Sequence, residues 1–370
     1  MTLEMLLRWV VVPVVQIALV LGVVLFCVAY LTLLERKVIA YMQVRLGPRR
    51  VGPHGLFQPI ADVLKLMIKE DIVPQKVDRL VYWLAPCIAL APAVVAFAVI
   101  PFSGQPVAFD IFGQRIVLTP WVTDVNIGLL YLLAVSSLGV FGIVLGGWAS
   151  NSKYPMLGGL RSAAQMISYE VPLGFSVVGV LMLAGTASMV GIVHAQQERG
   201  WWFMFPQIVG MLLYFVAGVA ETNRAPFDLP EAENELVAGF HTEYSGMKFA
   251  LFFLAEYMNM ILVASIVTTL FLGGWLPVTF CLGYIWPAVP EYLANPLAAW
   301  PFHFTGSLWP AVTGLAWFGL KAFLVVFVYL WLRATFPRYR YDQLMRIGWK
   351  WLIPVAIANV MVTALVLVLW

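Results

Sequence analysis

Long apolar runs dominate the chain, and short polar segments separate them. A helix needs roughly 20 apolar residues to cross a bilayer, and eight such runs can be marked. They cover residues 10–34, 80–102, 126–148, 171–193, 201–220, 249–272, 308–332 and 351–370. The polar segment HAQQERG between the fourth and fifth runs predicts a turn that joins two antiparallel helices. The pattern therefore predicts an all-α membrane protein with about eight transmembrane helices in a single polytopic domain, residues 1–370.

The loop after the first run has a different pattern. Apolar residues recur at helical spacing from Leu56 to Ile68, whereas Asp62, Lys65 and Lys69 share another face. This stretch is too short to cross a bilayer comfortably. It predicts an interfacial amphipathic helix over residues 55–71 that lies on the membrane and roofs a cavity. The Gly-Pro pairs in RLGPRRVGPHG, just before it, predict irregular backbone.

Composition excludes a soluble globule, because 62% of the residues are hydrophobic and only 11% are charged. In soluble domains, roughly 45–50% of the residues are apolar and about 25% are charged. The net charge of +3 gives no indication of nucleic-acid binding. The loops after the first, third, fifth and seventh runs hold 18 of the 22 Lys and Arg residues. Short loops rich in these residues stay in the cytoplasm, so both termini are expected on the opposite side.

Histidine and cysteine are too sparse to suggest a metal or cofactor site. The chain has four His and three Cys residues, with no CxxC pair, and so lacks a recognisable ligand set for zinc, haem or an iron–sulfur cluster. Any redox cofactor is therefore expected to belong to a partner chain.

Carboxylates are concentrated in an acidic loop, residues 221–248, and its continuation. Seven of the 19 Asp and Glu residues lie between Glu221 and Glu256. Helix capping explains part of this density, because Asp228 has N-cap spacing to Glu231, and acids in a first turn are stabilised by the helix dipole. For Asp228, Glu231 and Glu233 this structural interpretation and a functional one stay equally open.

The other acids are harder to explain structurally. Glu221 closes an apolar run, Glu256 lies within one, and a buried carboxylate costs several kcal/mol unless it is paired or protonated. Proteins retain such groups mainly where protons or ions move. We therefore predict a role in proton movement for Glu170, Glu221, Glu235, Glu243 and Glu256.

Lys321 lies near the middle of its apolar run, some 15–20 Å from either end, which is beyond snorkelling reach. It needs a partner, and we predict one of the carboxylates above. Arg36 and Lys37 have the simpler interpretation of membrane anchors, whereas Glu35 beside them does not. The polar segment 148–170 has the pattern of an ordinary connector.

Four long blocks resemble one family, the H-type membrane subunit of bacterial NADH-quinone oxidoreductase, which forms the quinone chamber of respiratory complex I. The blocks occur in the family's order and cover most of the predicted cytoplasmic face. They read LLERKVIAYMQVRLGPRRVGPHGLFQPIADVLKLMIKEDIVP, GGWASNSKYPMLGGLRSAAQMISYEVPLG, AETNRAPFDLPEAENELVAGFHTEYSGMKFALFFLAEY and RATFPRYRYDQLMRIGWK.

The resemblance implies a subunit in the cell inner membrane, where the membrane arm meets the peripheral arm. Partner subunits would carry FMN and iron–sulfur clusters, and this chain would bind only quinone, either ubiquinone or menaquinone. By the resemblance, the quinone entrance and chamber would comprise Glu35, Arg36, Asp62, Lys65, Arg224, Phe227 and Asp228. The proton-coupling path would comprise Glu170, Glu221, Glu231, Glu233, Glu235, Glu243 and Glu256, and Lys321 is a further candidate.

Two alternatives remain at this point. The first is a homologous membrane subunit of an energy-converting hydrogenase or of a ferredoxin-fed complex, since these share the scaffold. The second is a stand-alone ion transporter that uses Lys321 and Glu256. The sequence shows neither an internal repeat nor a pair of broken helices of the kind that transporters use.

Overall fold

The computed structural model describes residues 7–111, 114–229, 238–277 and 308–369. The helices are α1 (Val12–Met42), α2 (Gln58–Ile68), α3 (Arg79–Ala96), α4 (Gly128–Ser137), α5 (Gly139–Ala149), α6 (Lys153–Ala184), α7 (Met189–Arg199), α8 (Ile208–Glu221), α9 (Gly246–Phe271), α10 (Leu308–Thr335), α11 (Tyr341–Ile347) and α12 (Ile353–Leu369). After α3, strands β1 (Val107–Ile111) and β2 (Gln114–Leu118) form an antiparallel hairpin in which Val107 pairs with Leu118.

Within these ranges, seven helical segments are long and apolar enough to cross a bilayer. They are Trp9–Met42, Arg79–Val99, Gly128–Ala149, Lys153–Ala184, Gly246–Phe271, Pro310–Thr335 and Tyr341–Leu369. The predicted class, an all-α membrane protein, is confirmed. The remaining predicted span, 201–220, overlaps α8, which has 14 residues. At ~1.5 Å per residue it is about 21 Å long, shorter than a bilayer core of roughly 30 Å.

The fourth predicted span was wrong at both ends. Helix α6 begins at Lys153 and ends at Ala184, where Gly185 adopts a left-handed conformation (φ +69°) that stops the helix. The segment 148–170 is therefore mostly helix rather than a connector. HAQQER lies inside α7 rather than in a turn. Polar side chains such as Gln165 and Gln196 misled the prediction, because both are buried between helices instead of facing water.

The amphipathic helix was predicted correctly as an element and is α2. It packs against α1 and α9, and apolar side chains such as Ile60 and Leu64 are exposed. The segment before it is irregular, as predicted, with positive φ at Gly52, His54 and Gly55. A Cβ on Gly55 would lie 2.3 Å from the Pro48 carbonyl oxygen, so no larger residue fits there.

Helix α9 is the most enclosed span and α1 and α12 the least. In the most apolar stretch of α9, 61% of the residues are buried, compared with 11% in the spans that contain α1 and α12. All residues from Leu262 to Phe271 are buried. Apolar helices can expose their side chains to lipid, so the core lies around α9, and α1 and α12 form its rim.

The loops predicted to share the cytoplasmic side meet at one end of the bundle, which we call the basic end. The Asn151 amide donates to the Lys76 carbonyl (2.9 Å). The Tyr339 backbone N–H donates to the Pro226 carbonyl (3.1 Å). Loops that are far apart in sequence therefore contact one another at this end. Which side of the membrane this end faces stays a prediction.

Gln165 on α6 fastens the loop that follows α8. Its amide donates to the carbonyls of Ala220 and Phe227, each at 2.8 Å, and its side chain is fully buried. We expect Gln165→Leu to lower the thermal stability of the purified complex, because each lost hydrogen bond contributes about 0.5–1.5 kcal/mol. Gln197→Leu, at an exposed position on α7, is the control. Equal melting temperatures for both variants would contradict this role.

Candidate functional site

Arg224 lies in the loop after α8 and joins two carboxylates from different helices. Its Nη1 is 3.5 Å from Oε1 of Glu35 on α1, and its Nε is paired with Oε1 of Glu256 on α9. The guanidinium also stacks over the Tyr257 ring, 4.2 Å from the ring centroid. Arg224 is 5% exposed. A buried guanidinium with two carboxylate partners and an aromatic face is well compensated.

Glu35 has further partners and is 4% exposed. Arg333 on α10 forms an ion pair with its Oε1, and the Tyr257 hydroxyl donates to its Oε2 at 2.7 Å. We call Glu35, Arg224, Glu256, Tyr257 and Arg333 the charge cluster. It contains two carboxylates and two guanidinium groups, so its formal charge is balanced. Three helices and one loop meet there.

Two narrow cavities lie inside the bundle, and Glu256 of the charge cluster lines the first. The first has room for a few water molecules. Its polar lining consists of Glu221, Thr222, Asn223, His241, Glu256 and Asn259. The second cavity shares Glu221, Thr222 and Asn259 with the first and extends to Ser136 and Tyr214. Glu221 therefore stands at the wall of both cavities.

Glu170 continues this row of carboxylates. Ser137 on α4 lies near the Glu170 carboxylate, and its neighbour Ser136 lies near Glu221. Both hydroxyls donate to backbone carbonyls within α4. Glu170 and Glu221 are close enough to interact electrostatically. The sequence-predicted residues Glu256, Glu221 and Glu170 thus follow one another across the bundle. Cavity space lies between Glu256 and Glu221, whereas Glu170 lines neither of the two cavities.

The predicted entrance residues lie between α1 and α2. Arg36 Nη1 is 2.6 Å from Asp62 Oδ2, and both side chains are partly exposed. The Gln58 amide donates to the other Asp62 oxygen at 3.0 Å. Lys65 is exposed on the same helix. The structure therefore places Arg36, Asp62 and Lys65 together, at the junction of a span and the amphipathic helix.

Asp228 and Phe227 lie in the same loop as Arg224. An Asp228 oxygen accepts a hydrogen bond from Arg338 at 2.9 Å. The Phe227 ring stacks on Tyr339, with ring centroids 5.5 Å apart. Both contacts join this loop to the segment after α10, in the RATFPRYRYDQ block.

Three predicted carboxylates, Glu231, Glu233 and Glu235, lie outside the described residues. Their roles, and the N-cap role of Asp228, stay predictions. Glu243 lies at the basic end, where its backbone carbonyl accepts a hydrogen bond from the Tyr82 hydroxyl at 2.7 Å.

Comparison with known proteins identifies the family. A family model described as NADH dehydrogenase matches residues 15–364. The chain belongs to this family. An H-type subunit of the NADH-quinone oxidoreductase of Geobacter sulfurreducens is 49% identical, over 93% of this chain and 91% of the relative. The corresponding protein of Magnetococcus marinus is 48% identical, over 95% and 90%, and that of Protochlamydia amoebophila 49%, over 91% of each. The resemblance stated from the sequence blocks is confirmed.

Lys321 of this NADH dehydrogenase family member is remote from the charge cluster. Its ammonium donates to the carbonyls of Leu272 (2.6 Å), Gly274 (3.0 Å) and Leu276 (2.5 Å). It lies 4.7 Å from the Trp202 ring centroid. The sequence predicted a carboxylate partner for Lys321 without specifying which one. Glu256 is not that partner, because helix α9 places it about 24 Å from Leu272. The carbonyls at a helix end need donors, and Lys321 supplies three hydrogen bonds there.

Several residues of the site were not identified from the sequence. In the sequence analysis, Arg333 is only one of the loop charges that predict the orientation of the chain in the membrane. In the structure it pairs with Glu35. Tyr257 belongs to an apolar run, although it contacts both Glu35 and Arg224. The position of Tyr257 next to Glu256, and that of Arg333 at the start of a recognisable block, were the available signals. Sequence alone does not show that α1, α9 and α10 meet.

His241 gives the family member a pH-sensitive group at the first cavity. Burial lowers the pKa of His241 from 6.5 to about 4. The unfolded chain therefore binds more protons than the folded one between these pH values, and the free energy of unfolding falls as pH drops through that window. We expect His241→Asn to lose less stability than wild type between pH 7 and about 4.5, measured by thermal denaturation.

His54→Asn is the matched control for this measurement. His54 is exposed and has positive φ (+52°), a conformation that Asn tolerates. The thermal stability of His54→Asn should depend on pH in the same way as that of wild type. If His241→Asn also follows wild type, buried His241 does not contribute to acid sensitivity.

Proposed function

We propose that this chain is the membrane subunit that forms the quinone chamber of a proton-translocating NADH:quinone oxidoreductase. We further propose that it links quinone reduction to proton translocation through its carboxylates. The family and the names of the relatives support a subunit of this complex. The observation that carries the coupling proposal is the arrangement of the charge cluster, which opens on a cavity whose far wall is Glu221.

Quinone reduction changes protonation close to this arrangement. Quinone becomes quinol by taking up a pair of electrons and a pair of protons, so groups near its headgroup lose protons and change charge. Buried carboxylates respond strongly to a nearby charge because their titrations are coupled. The loop that carries Arg224, Phe227 and Asp228 is the proposed border of the chamber. A change of charge at this loop would act directly on Glu35 and Glu256, the carboxylate partners of Arg224.

Proton movement then follows from the ion pairs of the charge cluster. Protonation of Glu256 would weaken its pair with Arg224 and leave Glu35 as the remaining carboxylate partner of that guanidinium. Release of the proton into the first cavity would bring it to Glu221. Passage along the second cavity and the hydroxyls of Ser136 and Ser137 would then lead to Glu170.

Electron transfer is assigned to partner subunits. FMN and iron–sulfur clusters in those subunits would carry electrons from NADH. The contribution of this chain to electron transfer would be a binding site for ubiquinone or menaquinone. Within the ranges that the structure describes, there is no group of three His, Cys, Asp or Glu residues that could hold a metal ion. The other partners would be subunits of the membrane and peripheral arms and the lipid bilayer.

Quinone would enter between α1 and α2. The apolar side chains of α2 are exposed on a helix of interfacial character, which suits a position at the lipid surface. The Arg36–Asp62 ion pair closes one side of this gap. An isoprenoid tail needs only an apolar route, and the exposed faces of these two helices provide one. The basic end would face the cytoplasm of the cell, with the chain in the inner membrane.

The alternatives from the sequence are not favoured. The similar proteins described above are all named as the H-type component of NADH-quinone oxidoreductase. None of these names describes a hydrogenase, a ferredoxin-fed complex or a stand-alone transporter.

The carboxylate path is tested by Glu221→Gln in the complete complex, reconstituted in vesicles. We expect proton translocation to fall by at least about tenfold, because Gln cannot carry the proton and a lost proton-transfer group costs that much or more. NADH oxidation with ferricyanide reports whether the partner subunits are intact. Proton translocation is followed with a pH-sensitive dye inside the vesicles.

Glu198→Gln is the control for this variant. Glu198 is exposed near the end of α7 and lies outside both cavities. It should leave translocation unchanged. Full translocation in Glu221→Gln, with unchanged quinone affinity, would rule out Glu221 as a station of the path.

A further inference from the structure

The segment that follows α2 is fastened to the loop that precedes α9. The Ile72 backbone N–H donates to the Ser245 hydroxyl at 3.0 Å, and that hydroxyl donates to the Glu70 carbonyl at 3.4 Å. Gly246 has positive φ (+56°), and a Cβ there would lie 3.3 Å from the Lys69 carbonyl oxygen. Two backbone segments about 175 residues apart in sequence therefore run in close contact. We call this contact the α2–α9 junction.

Lys248 provides the charged contact of this junction. Its Nζ is 2.8 Å from Asp71 Oδ2. The ammonium also lies 3.6 Å from the Trp83 ring centroid and 4.6 Å from that of Tyr82. Although Lys is among the residues least often buried, Lys248 is only 4% exposed.

Lys248 is an unfavourable choice for local structure alone. It lies in the first turn of α9, where the helix dipole disfavours a positive charge. Burial of its ammonium adds a desolvation cost. An apolar side chain of similar length would fill the same space against Tyr82 and Trp83 without either cost. The Lys248–Asp71 pair is therefore better explained by what it holds together than by the stability of α9.

The junction lies between the proposed quinone entrance and the first cavity. On one side is α2, which carries Asp62 and Lys65. On the other side is the loop with His241 in the cavity wall, and Tyr244 of this loop stacks on Tyr82 with centroids 4.2 Å apart. The charge cluster begins about 12 Å further along α9. A shift of α2 would thus reach the cavity through one ion pair and its neighbours.

We propose that the Lys248–Asp71 ion pair is a positioning device that fixes the segment after α2 to the first turn of α9. It thereby sets the gap through which quinone enters. This inference rests on the proposed function, because it assumes that the gap between α1 and α2 is the entrance. Lys248 and Asp71 act through α2 and need not touch quinone. Their removal affects quinone entry more than turnover once quinone is bound.

The test uses Asp71→Asn, Lys248→Met and the charge exchange Asp71→Lys with Lys248→Asp, each in the assembled complex in membranes. We expect each single variant to raise the quinone KM about three- to tenfold, the range of a pairwise coupling, with kcat close to wild type. The double neutral variant should be no worse than either single one. The charge exchange should recover part of the loss.

Lys69→Met is the matched control, because Lys69 is an exposed lysine of the same segment. Its KM should equal that of wild type. If Lys248→Met does not assemble, Asp71→Asn decides, since the Asp71 side chain is 37% exposed and tolerates a neutral replacement. An unchanged KM in assembled Asp71→Asn would overturn the proposal, as would charge exchange that is worse than both single variants.

Hydrogen–deuterium exchange separates this proposal from the proposed function. The Ile72 amide donates to the Ser245 hydroxyl, so we expect Asp71→Asn to speed exchange in the segment 69–72 whether or not the complex reduces quinone. Faster exchange with an unchanged KM would show a junction that does not control entry, which overturns the proposal. A wild-type complex without quinone reductase activity would contradict the proposed function alone. Unchanged exchange would overturn the positioning role directly.

Discussion

Burial of Arg224 between two carboxylates is the interaction on which the rest of the site depends. A charged Glu35 or Glu256 without an ionic partner would be strongly destabilising here, because nothing would offset the desolvation cost of the buried carboxylate. With Arg224 between them, and Arg333 and Tyr257 on the Glu35 side, the charges are compensated. Each of α1, α9 and α10 contributes a member, so the charge cluster joins these three helices.

In the proposed function, the same pairing makes the site responsive to protonation. Charges that compensate one another at short range in a low dielectric lose that compensation when one of them takes up a proton. Glu256 faces both Arg224 and the first cavity, and Glu221 faces both cavities. Glu256 therefore combines an ion-pair partner with a cavity, and the proposed proton path depends on both.

Much of the fold was readable from sequence because the bilayer imposes a simple rule on apolar length. Seven of the eight predicted runs correspond to helices long enough to cross, and the periodicity from Leu56 to Ile68 predicted α2. The failures have a common cause. Gln165 and Gln196 have the polarity of solvent-facing residues, but their amides bond to backbone carbonyls of other parts of the bundle. Hydropathy depends only on the residue type. It does not include a hydrogen-bond partner that is distant in sequence.

The acidic segment likewise divides into features that the sequence predicts and contacts that only the structure shows. Sequence by itself determined that the chain is a polytopic membrane protein of this family, and that carboxylates such as Glu221 and Glu256 were too costly to be incidental. Only the tertiary structure decided that Glu256 pairs with Arg224, that Arg333 reaches Glu35, and that Lys321 bonds to helix-end carbonyls far from them. The cost of a buried charge is a property of the residue and its apolar surroundings, which sequence displays. The group that offsets this cost is a property of which helices meet, and three-dimensional packing alone fixes that.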